Sequence, residues 1–560
     1  MGDTRKHILI LGAGINGCAL GRELVLNGVD VTLVDTADIA SGATAYSSRL
    51  IHGGLRYLEY RELDLVRESL GERERLLRLA PQFVRPFRLF VPTSRRLGGL
   101  GTVLGRVLGV NRLSMATRPD VPRGMWLVRL GLWLYDTYAG RTRLPRHSIH
   151  PVGASPAPAV DPTRYRWLCS FYDAQVEFPE RLVLSMIEDT WRAAAEQNVR
   201  FDVFTYHHAV LDKETVTIHD VRKEGPPVTA FEPAAIINAT GAWIDDTLRE
   251  LHVDSKRLIG GTKGSHFLTF HDGLRSDLHG DGIYAEAADG RPVFLLPFGE
   301  GTLVGTTDVP FDGSPANAVA ERAELDYLLQ AVNDVMADND LGPEDVAMHY
   351  SGVRPLPHVG PKTPAAITRR HHLEENRSCR VPLYSVIGGK LTTARALAEE
   401  TAGVVLGRLG QTPRLSTRER MLPGGESFPG SVELEDEECV RISQDLGFQL
   451  DEVRAIWKLY GSRTASILSK LTDQSHENLD GTVLPRSFAR WVIDNECVRR
   501  LGDLVERRLM LLYHRRLSTE CLRQLTEMLV DSGHVSASDA AAEVEGCIDR
   551  LRDHFGRTIE

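Results

Sequence analysis

The order of apolar and polar positions changes period several times along the chain. Ile8 to Leu11 are four consecutive apolar residues, the pattern of a strand buried on both faces. Ala19, Leu20 and Leu24 then recur at helical spacing, which predicts a helix to Asn27, ended by Gly28. Val29 to Val34 predict a second strand that finishes on Asp35. Residues 62–80 (ELDLVRESLGERERLLRLA) predict an exposed amphipathic helix with many Glu–Arg neighbours. Glu180 to Gln197 predict another helix, followed by strands near 199–205 and at Ala235–Ile237. Between 258 and 355, short apolar runs cut by glycines (264–270, 293–297, 302–308) predict an antiparallel sheet, with one helix near 320–336. A strand over Leu383–Ile387 meets two glycines and a helix to about Leu409. Residues 422–430 (LPGGESFPG) predict a linker, and 434–560 are charged, glycine-poor and helical in pattern.

The seams between these elements carry the chemistry. Between the first strand and helix lies Gly12-Ala13-Gly14-Ile15-Asn16-Gly17, a G-x-G-x-x-G. Gly12 allows a tight turn, Gly14 lets backbone N–H groups approach a pyrophosphate, and Gly17 lets helix and strand pack closely. The phosphates then meet a helix N-terminus, where free N–H groups and the dipole favour negative charge. Asp35, 18 residues after Gly17, can accept from ribose hydroxyls. The strand at 235–237 runs into Asn238-Ala239-Thr240-Gly241, where a second segment would pass the dinucleotide; the pair favours FAD over NAD. Gly388 and Gly389 open a second helix N-terminus suited to a negative group. The fold expected is α/β. It has an FAD-binding doubly wound domain (1–80, 151–250 and 356–420), an antiparallel-sheet substrate domain (251–355) and a C-terminal helical domain (431–560). The remaining stretch, 81–150, is expected to be a basic amphipathic segment facing a membrane.

Composition narrows the class. At 560 residues the chain should hold two or more domains. Apolar content of 42% and charged content of 25% are those of an ordinary globular protein. A net charge of −10 argues against a general nucleic-acid binder. Seven scattered cysteines with no C-x-x-C offer no ligand set for zinc or iron–sulfur, and fit a reduced compartment. No metal is expected. No uncharged apolar run is long enough to span a bilayer, and the first strand begins too early to leave room for a cleavable signal. Residues 85–150 differ from the rest: twelve arginines face two acids, Asp120 and Asp136, among Leu97, Leu100, Val103, Met125, Trp126, Leu127, Leu130, Trp133 and Tyr135. Arginine with Trp and Leu on amphipathic segments predicts a helix lying in an anionic membrane interface.

The motifs together carry a resemblance. G-A-G-I-N-G (12–17), S-S-R-L-I-H-G-G-L-R-Y-L (47–58), G-T-T-D (305–308), S-G-V-R-P-L (351–356) and G-G-K-L-T-T (388–393) occur in the order seen in FAD-dependent glycerol-3-phosphate dehydrogenases. The chain resembles that family over most of residues 7–425, and the rest fits its helical cap. The resemblance implies oxidation of sn-glycerol 3-phosphate to dihydroxyacetone phosphate, with FAD taking the hydride. It also implies a membrane quinone as acceptor and a cytoplasmic enzyme held peripherally on the inner face of the membrane. At Phe178-Pro179-Glu180-Arg181-Leu182 the chain carries Pro-Glu where many relatives have Asp-Ala, so no site role is carried over there. A glycerol-3-phosphate oxidase using oxygen, and an amine or amino-acid oxidase of the same fold, stay as alternatives; the 47–58 motif argues against the second. The oligomeric state is open, a homo-oligomer included.

Within these motifs, Arg354 is the first candidate to hold the substrate phosphate, because its fork donates two parallel hydrogen bonds. Arg56 and Tyr57 are the second. Lys390 is expected at the C2 oxygen or near the flavin, and His52 as general base, its ordinary pKa lying near working pH. Thr307 and Asp308 are expected to line the substrate pocket. The cofactor set is Gly12, Ala13, Gly14, Ile15, Asn16, Gly17, Asp35, Ser47, Ser48, Gly241, Gly388, Gly389, Leu391, Thr392 and Thr393.

Overall fold

The computed structural model describes residues 6–58, 62–96, 124–140, 142–358, 370–474 and 477–559, without the Arg56 side chain. His7–Leu11 (β1) leads into helix Ile15–Leu26 (α1) and Asp30–Asp35 (β2). Leu50–Ile51 (β3), helix Leu63–Leu79 (α2) and Val84–Thr93 (β4) follow. Next come helix Met125–Ala139 (α3), Ser148–Pro151 (β5), Trp167–Val176 (β6) and helix Pro179–Gln197 (α4). Phe201–Thr205 (β7), His207–Asp212 (β8), Thr215–Asp220 (β9), Thr229–Phe231 (β10) and Ala235–Asn238 (β11) precede helix Ile244–Glu250 (α5). The region 262–354 holds Thr262–Thr269 (β12), Gly282–Glu286 (β13), Pro292–Phe298 (β14), Gly301–Gly305 (β15), Val309–Pro310 (β16), helix Arg322–Val335 (α6) and Met348–Arg354 (β17). His372–Asn376 (β18), Leu383–Ile387 (β19) and helix Ala394–Arg408 (α7) return to the first domain. The C-terminal domain includes Val432–Leu446 (α8), Leu450–Tyr460 (α9), Arg486–Asn495 (α10), Thr519–Asp531 (α11) and Ala540–Phe555 (α12).

The dinucleotide-type sheet has the order β18-β19-β11-β1-β2-β7, parallel except for β18. Its central strands are buried on both faces, which is why β1 reads as an unbroken apolar run. One face packs under α1, α4 and α7 through Leu20, Leu24, Leu182, Val183 and Leu397. The other face is covered by α5 and the β8–β9–β10 meander, with Val216, Ile218 and Ile244 against Leu9, Leu11 and Val34. Sequence patterning had no expectation of that meander.

The second sheet departs from the expected boundaries. It runs β16-β12-β15-β14-β13-β4-β6-β3, with β17 beside β12 and β5 beside β6. Strands before residue 251 therefore supply four of its ten, β3 to β6, with β4 and β6 pairing along ten residues. The expected segment 81–150 is divided accordingly. Its first part is strand β4, whose Leu89 and Phe90 are core, and its end is β5. Residues 97–123, with Arg106, Arg112, Arg118 and Arg123, and residue 141 lie outside the described residues. The 62–80 helix is also less exposed than its charges imply. Glu72 is bonded by Arg395, and Arg73 by Asp173, all buried, because these charges face α7 and β6 and not solvent. Among the described residues no helix is long and apolar enough to cross a membrane.

Candidate active site

The glycine turn shows its own demand for space. Gly12 has φ +100°, and a Cβ there would fall 2.7 Å from the Ala239 carbonyl oxygen. A Cβ on Gly17 would overlap the Gly12 carbonyl oxygen. The N-cap of α1 is Gly14, and the first N–H of the helix, that of Ile15, donates to Thr44 Oγ1 (3.1 Å). Asp35 accepts from the backbone N–H groups of Ala13 (2.7 Å) and Ala37 (2.8 Å), so the acid braces the turn. Burial raises its pKa above the ordinary value, against the pull of those two donors. The Asn16 side chain reaches the Gly388 carbonyl (3.3 Å), while its Oδ1 is buried without a hydrogen-bond partner. The glycine turn and the helix N-terminus behind it offer backbone N–H donors of the kind a dinucleotide pyrophosphate accepts from, and the residues fit FAD.

A chamber of about 790 Å³ opens from this turn. Of the expected cofactor residues, Gly12, Gly14, Ile15, Asn16, Asp35, Ser47, Ser48, Gly241, Gly388, Gly389, Leu391 and Thr392 line it. Ala13, Gly17 and Thr393 stand behind that lining. Of the expected substrate and catalytic residues, His52, Tyr57, Arg354 and Lys390 line it. Motifs more than 300 residues apart therefore meet at one place: the His52 backbone N–H donates to Thr392 Oγ1 (3.2 Å), and Lys390 Nζ lies 3.9 Å from the centre of the Tyr57 ring. The loop carrying His52 is fixed from behind. Gly53 N–H donates to Tyr135 Oη (2.8 Å), and that hydroxyl donates to Asp173 (2.6 Å).

Arg354 is oriented by Asp308 Oδ1 (3.1 Å), Thr306 Oγ1 (3.0 Å) and the Thr307 carbonyl (3.3 Å). A Cβ on Gly264 of the neighbouring strand would collide with its guanidinium, so the glycine makes room for it. Asp308 thus acts on Arg354 from outside the chamber lining. Thr307 turns the other way. It is buried, donates to Glu324 (2.7 Å) and accepts from Ser265 N–H (2.9 Å), in the same network that neutralises buried Lys263. Arg56 cannot be placed, its side chain lying outside the described part.

Two residues of this site escaped the sequence reading. His266 lines the chamber, bonded through Nε2 to Ser48 Oγ (2.9 Å) and stacked on Tyr350 at 5.0 Å. Burial, with the charges of Arg354 and Arg49, lowers its pKa to about 3, so the ring is neutral. Its signal was the polar run Lys263–His266 inside an otherwise apolar strand. Arg49 is fully buried, bonded to Glu180 (2.7 and 3.0 Å) and to Tyr513 Oη (2.5 Å). Glu180 is the residue that departs from the expected pattern, and here it compensates Arg49.

Comparison with known proteins agrees with this architecture. The family profile for FAD dependent oxidoreductase matches residues 7–403. A glycerol-3-phosphate dehydrogenase of Synechocystis sp. is 34% identical over 83% of this chain and 81% of its own length. A D-erythritol 1-phosphate dehydrogenase of Brucella abortus is 30% identical over 90% of this chain and 93% of its own. In structure, the chain is similar to a glycerol-3-phosphate dehydrogenase from Bacillus halodurans complexed with FAD, at TM-score 0.72 and 20% identity, covering 99% and 96% of the two chains.

Proposed function

The chain belongs to the family of FAD-dependent glycerol-3-phosphate dehydrogenases, and from that premise we propose that it oxidises the C2 hydroxyl of sn-glycerol 3-phosphate to the ketone. The observation that carries this reading is the convergence of His52, Tyr57, Arg354 and Lys390 on the chamber that the glycine turn opens. FAD, when bound, supplies the hydride acceptor. The protein's own residues do the rest. Arg354, held in plane by Asp308, donates to the phosphate. Lys390 stabilises negative charge on the C2 oxygen as its proton leaves, and Tyr57 fixes that ammonium. His52 takes the proton. His266 shares the chamber as a neutral ring held by Ser48, and its low basicity makes it a poor rival to His52 for that proton.

The finer reading is a quinone acceptor reached from a membrane surface. It is supported by α3, where Trp126 (47% exposed), Leu130 (51%) and Trp133 (54%) form one outward face beside Arg129, which lies over the Trp126 ring. Such a face brings the electron source to an acceptor dissolved in the bilayer. The substrate reading is tested by dye-linked turnover with sn-glycerol 3-phosphate, D-erythritol 1-phosphate and glycine. The three-carbon phosphate should give the highest kcat/KM; preference for the four-carbon phosphate would reassign the substrate, and turnover of glycine alone would return the amino-acid oxidase reading. Peroxide formation in place of quinone reduction would make it an oxidase.

A further inference from the structure

The chamber has a side that neither the dinucleotide fold nor the substrate sheet supplies. One face of α12, spaced at three and four residues through Glu543, Gly546, Cys547, Arg550 and His554, lines it. Arg507, from the preceding turns, lines it too. This side is bolted to both segments between which a dinucleotide would lie. Just past β2, Asp38 accepts from Arg507 (2.6 Å) and from both terminal nitrogens of Arg508 (2.7 and 2.8 Å). In the loop before Ser47, the Tyr46 hydroxyl accepts from Arg550 (3.1 Å), which also pairs with Glu506 (2.7 Å). Glu506 in turn holds Arg507 (2.8 Å). Asp38, Glu506, Arg507 and Arg508 are buried and Arg550 is partly exposed; the bonds to Asp38 and Tyr46 cross between domains, so they exist only with the C-terminal domain docked. His554 presses on the Tyr46 ring at 5.7 Å, and its Nε2 makes no hydrogen bond. Burial and Arg550 lower its pKa to about 4, so this donor or acceptor beside the chamber is neutral.

We propose that the C-terminal helical domain is a wall of the FAD chamber, and that docking of this domain and binding of FAD are one linked equilibrium. The inference rests on the cofactor and is independent of the substrate. A ligand held only by the docked form stabilises docking, and docking must raise ligand affinity by the same factor. In the wild-type apoprotein, adding FAD should slow hydrogen exchange in peptides covering 500–508 and 540–555 by about tenfold or more. Gly546→Leu supplies the second arm. Nothing lies within 4 Å of a Cβ at Gly546, and leucine favours the helix, so the variant folds while its side chain enters the mouth of the chamber. FAD titrated into the full-length variant, followed by quenching of flavin fluorescence, should bind about tenfold more weakly or worse. Glu545→Leu, exposed on the same helix outside the lining, should bind as the wild type does. The proposal is overturned if FAD slows exchange around residues 8–26 and leaves 540–555 unchanged, or if Gly546→Leu binds FAD within about twofold of wild type. Neither readout involves turnover, so a wrong substrate assignment would leave both intact.

Discussion

Arg354 reaches the chamber along a path cleared by Gly264, with its plane set by Asp308 and Thr306. An ammonium cannot reproduce that two-pronged donation. Arg354→Lys should therefore lower kcat/KM for glycerol 3-phosphate about ten- to a hundredfold, with little further loss on glycerol, which has no phosphate. Equal losses on both substrates would move Arg354 to the scaffold. Glu180→Ala tests the compensating pair. It strips the partner from a buried Arg49 and should cost about 3–5 kcal/mol, read as a lower Tm and denaturation midpoint. His266 gives a pH signature. Its folded pKa lies below the ordinary 6.5, so the unfolded chain binds the extra proton as the medium acidifies. The stability from its neutral ring is complete above about pH 6.5 and is lost as pH falls toward about 3. His266→Asn should flatten the fall of Tm with acid in that window; an unchanged slope would assign it to other groups. The positions of Arg354 and Lys390 were legible because a long cation between glycine or proline and a strand end has few uses. Thr307 was expected in the pocket lining and lies outside it. It sits in the loop between β15 and β16, where no strand alternation sets its direction, and only its bonds to Ser265 and Glu324 reveal that it turns away while Arg354, at the end of β17, turns to the chamber.

At the scale of elements, α3 has two faces with two tasks. Its buried face sends Tyr135 to Gly53 and Asp173, which steadies the loop of His52. Its outer face carries Trp126, Leu130 and Trp133. Replacing Trp126 and Trp133 with Ser should release the enzyme from anionic liposomes, with dye reduction preserved and long-chain quinone reduction lost. Liposome binding unchanged in the folded variant would return the face to ordinary surface. Arginines near the interface add about 1 kcal/mol each, so binding should also weaken with salt. The sequence reading found the helix and its aromatic content, since Trp and Leu among arginines are visible in one dimension. It did not separate this helix from β4, because an amphipathic strand at a sheet centre and a basic surface segment share composition; only pairing with β6 and β13 distinguishes them.

Across the whole molecule, two sheets and a helical domain meet at one chamber, and long-range charge pairs hold them together. Arg49–Glu180, Arg181–Glu496 and Arg508–Asp38 each join residues that sequence order keeps far apart. Such partners leave no local pattern, which is why the C-terminal domain was readable as helical but not as part of the chamber. The dinucleotide sheet was readable because its signals are local: an apolar run, three spaced glycines and an acid at the next strand end. Oxidation of a polyol phosphate in this chamber can be read from the flavin itself under strict anaerobiosis. Purified FAD-loaded enzyme is mixed with a stoichiometric amount of sn-glycerol 3-phosphate, and the visible flavin absorbance is followed. The absorbance should be lost, and the same amount of glycine should leave it unchanged. An oxidised spectrum that persists with glycerol 3-phosphate, in folded and FAD-loaded protein, would contradict that oxidation.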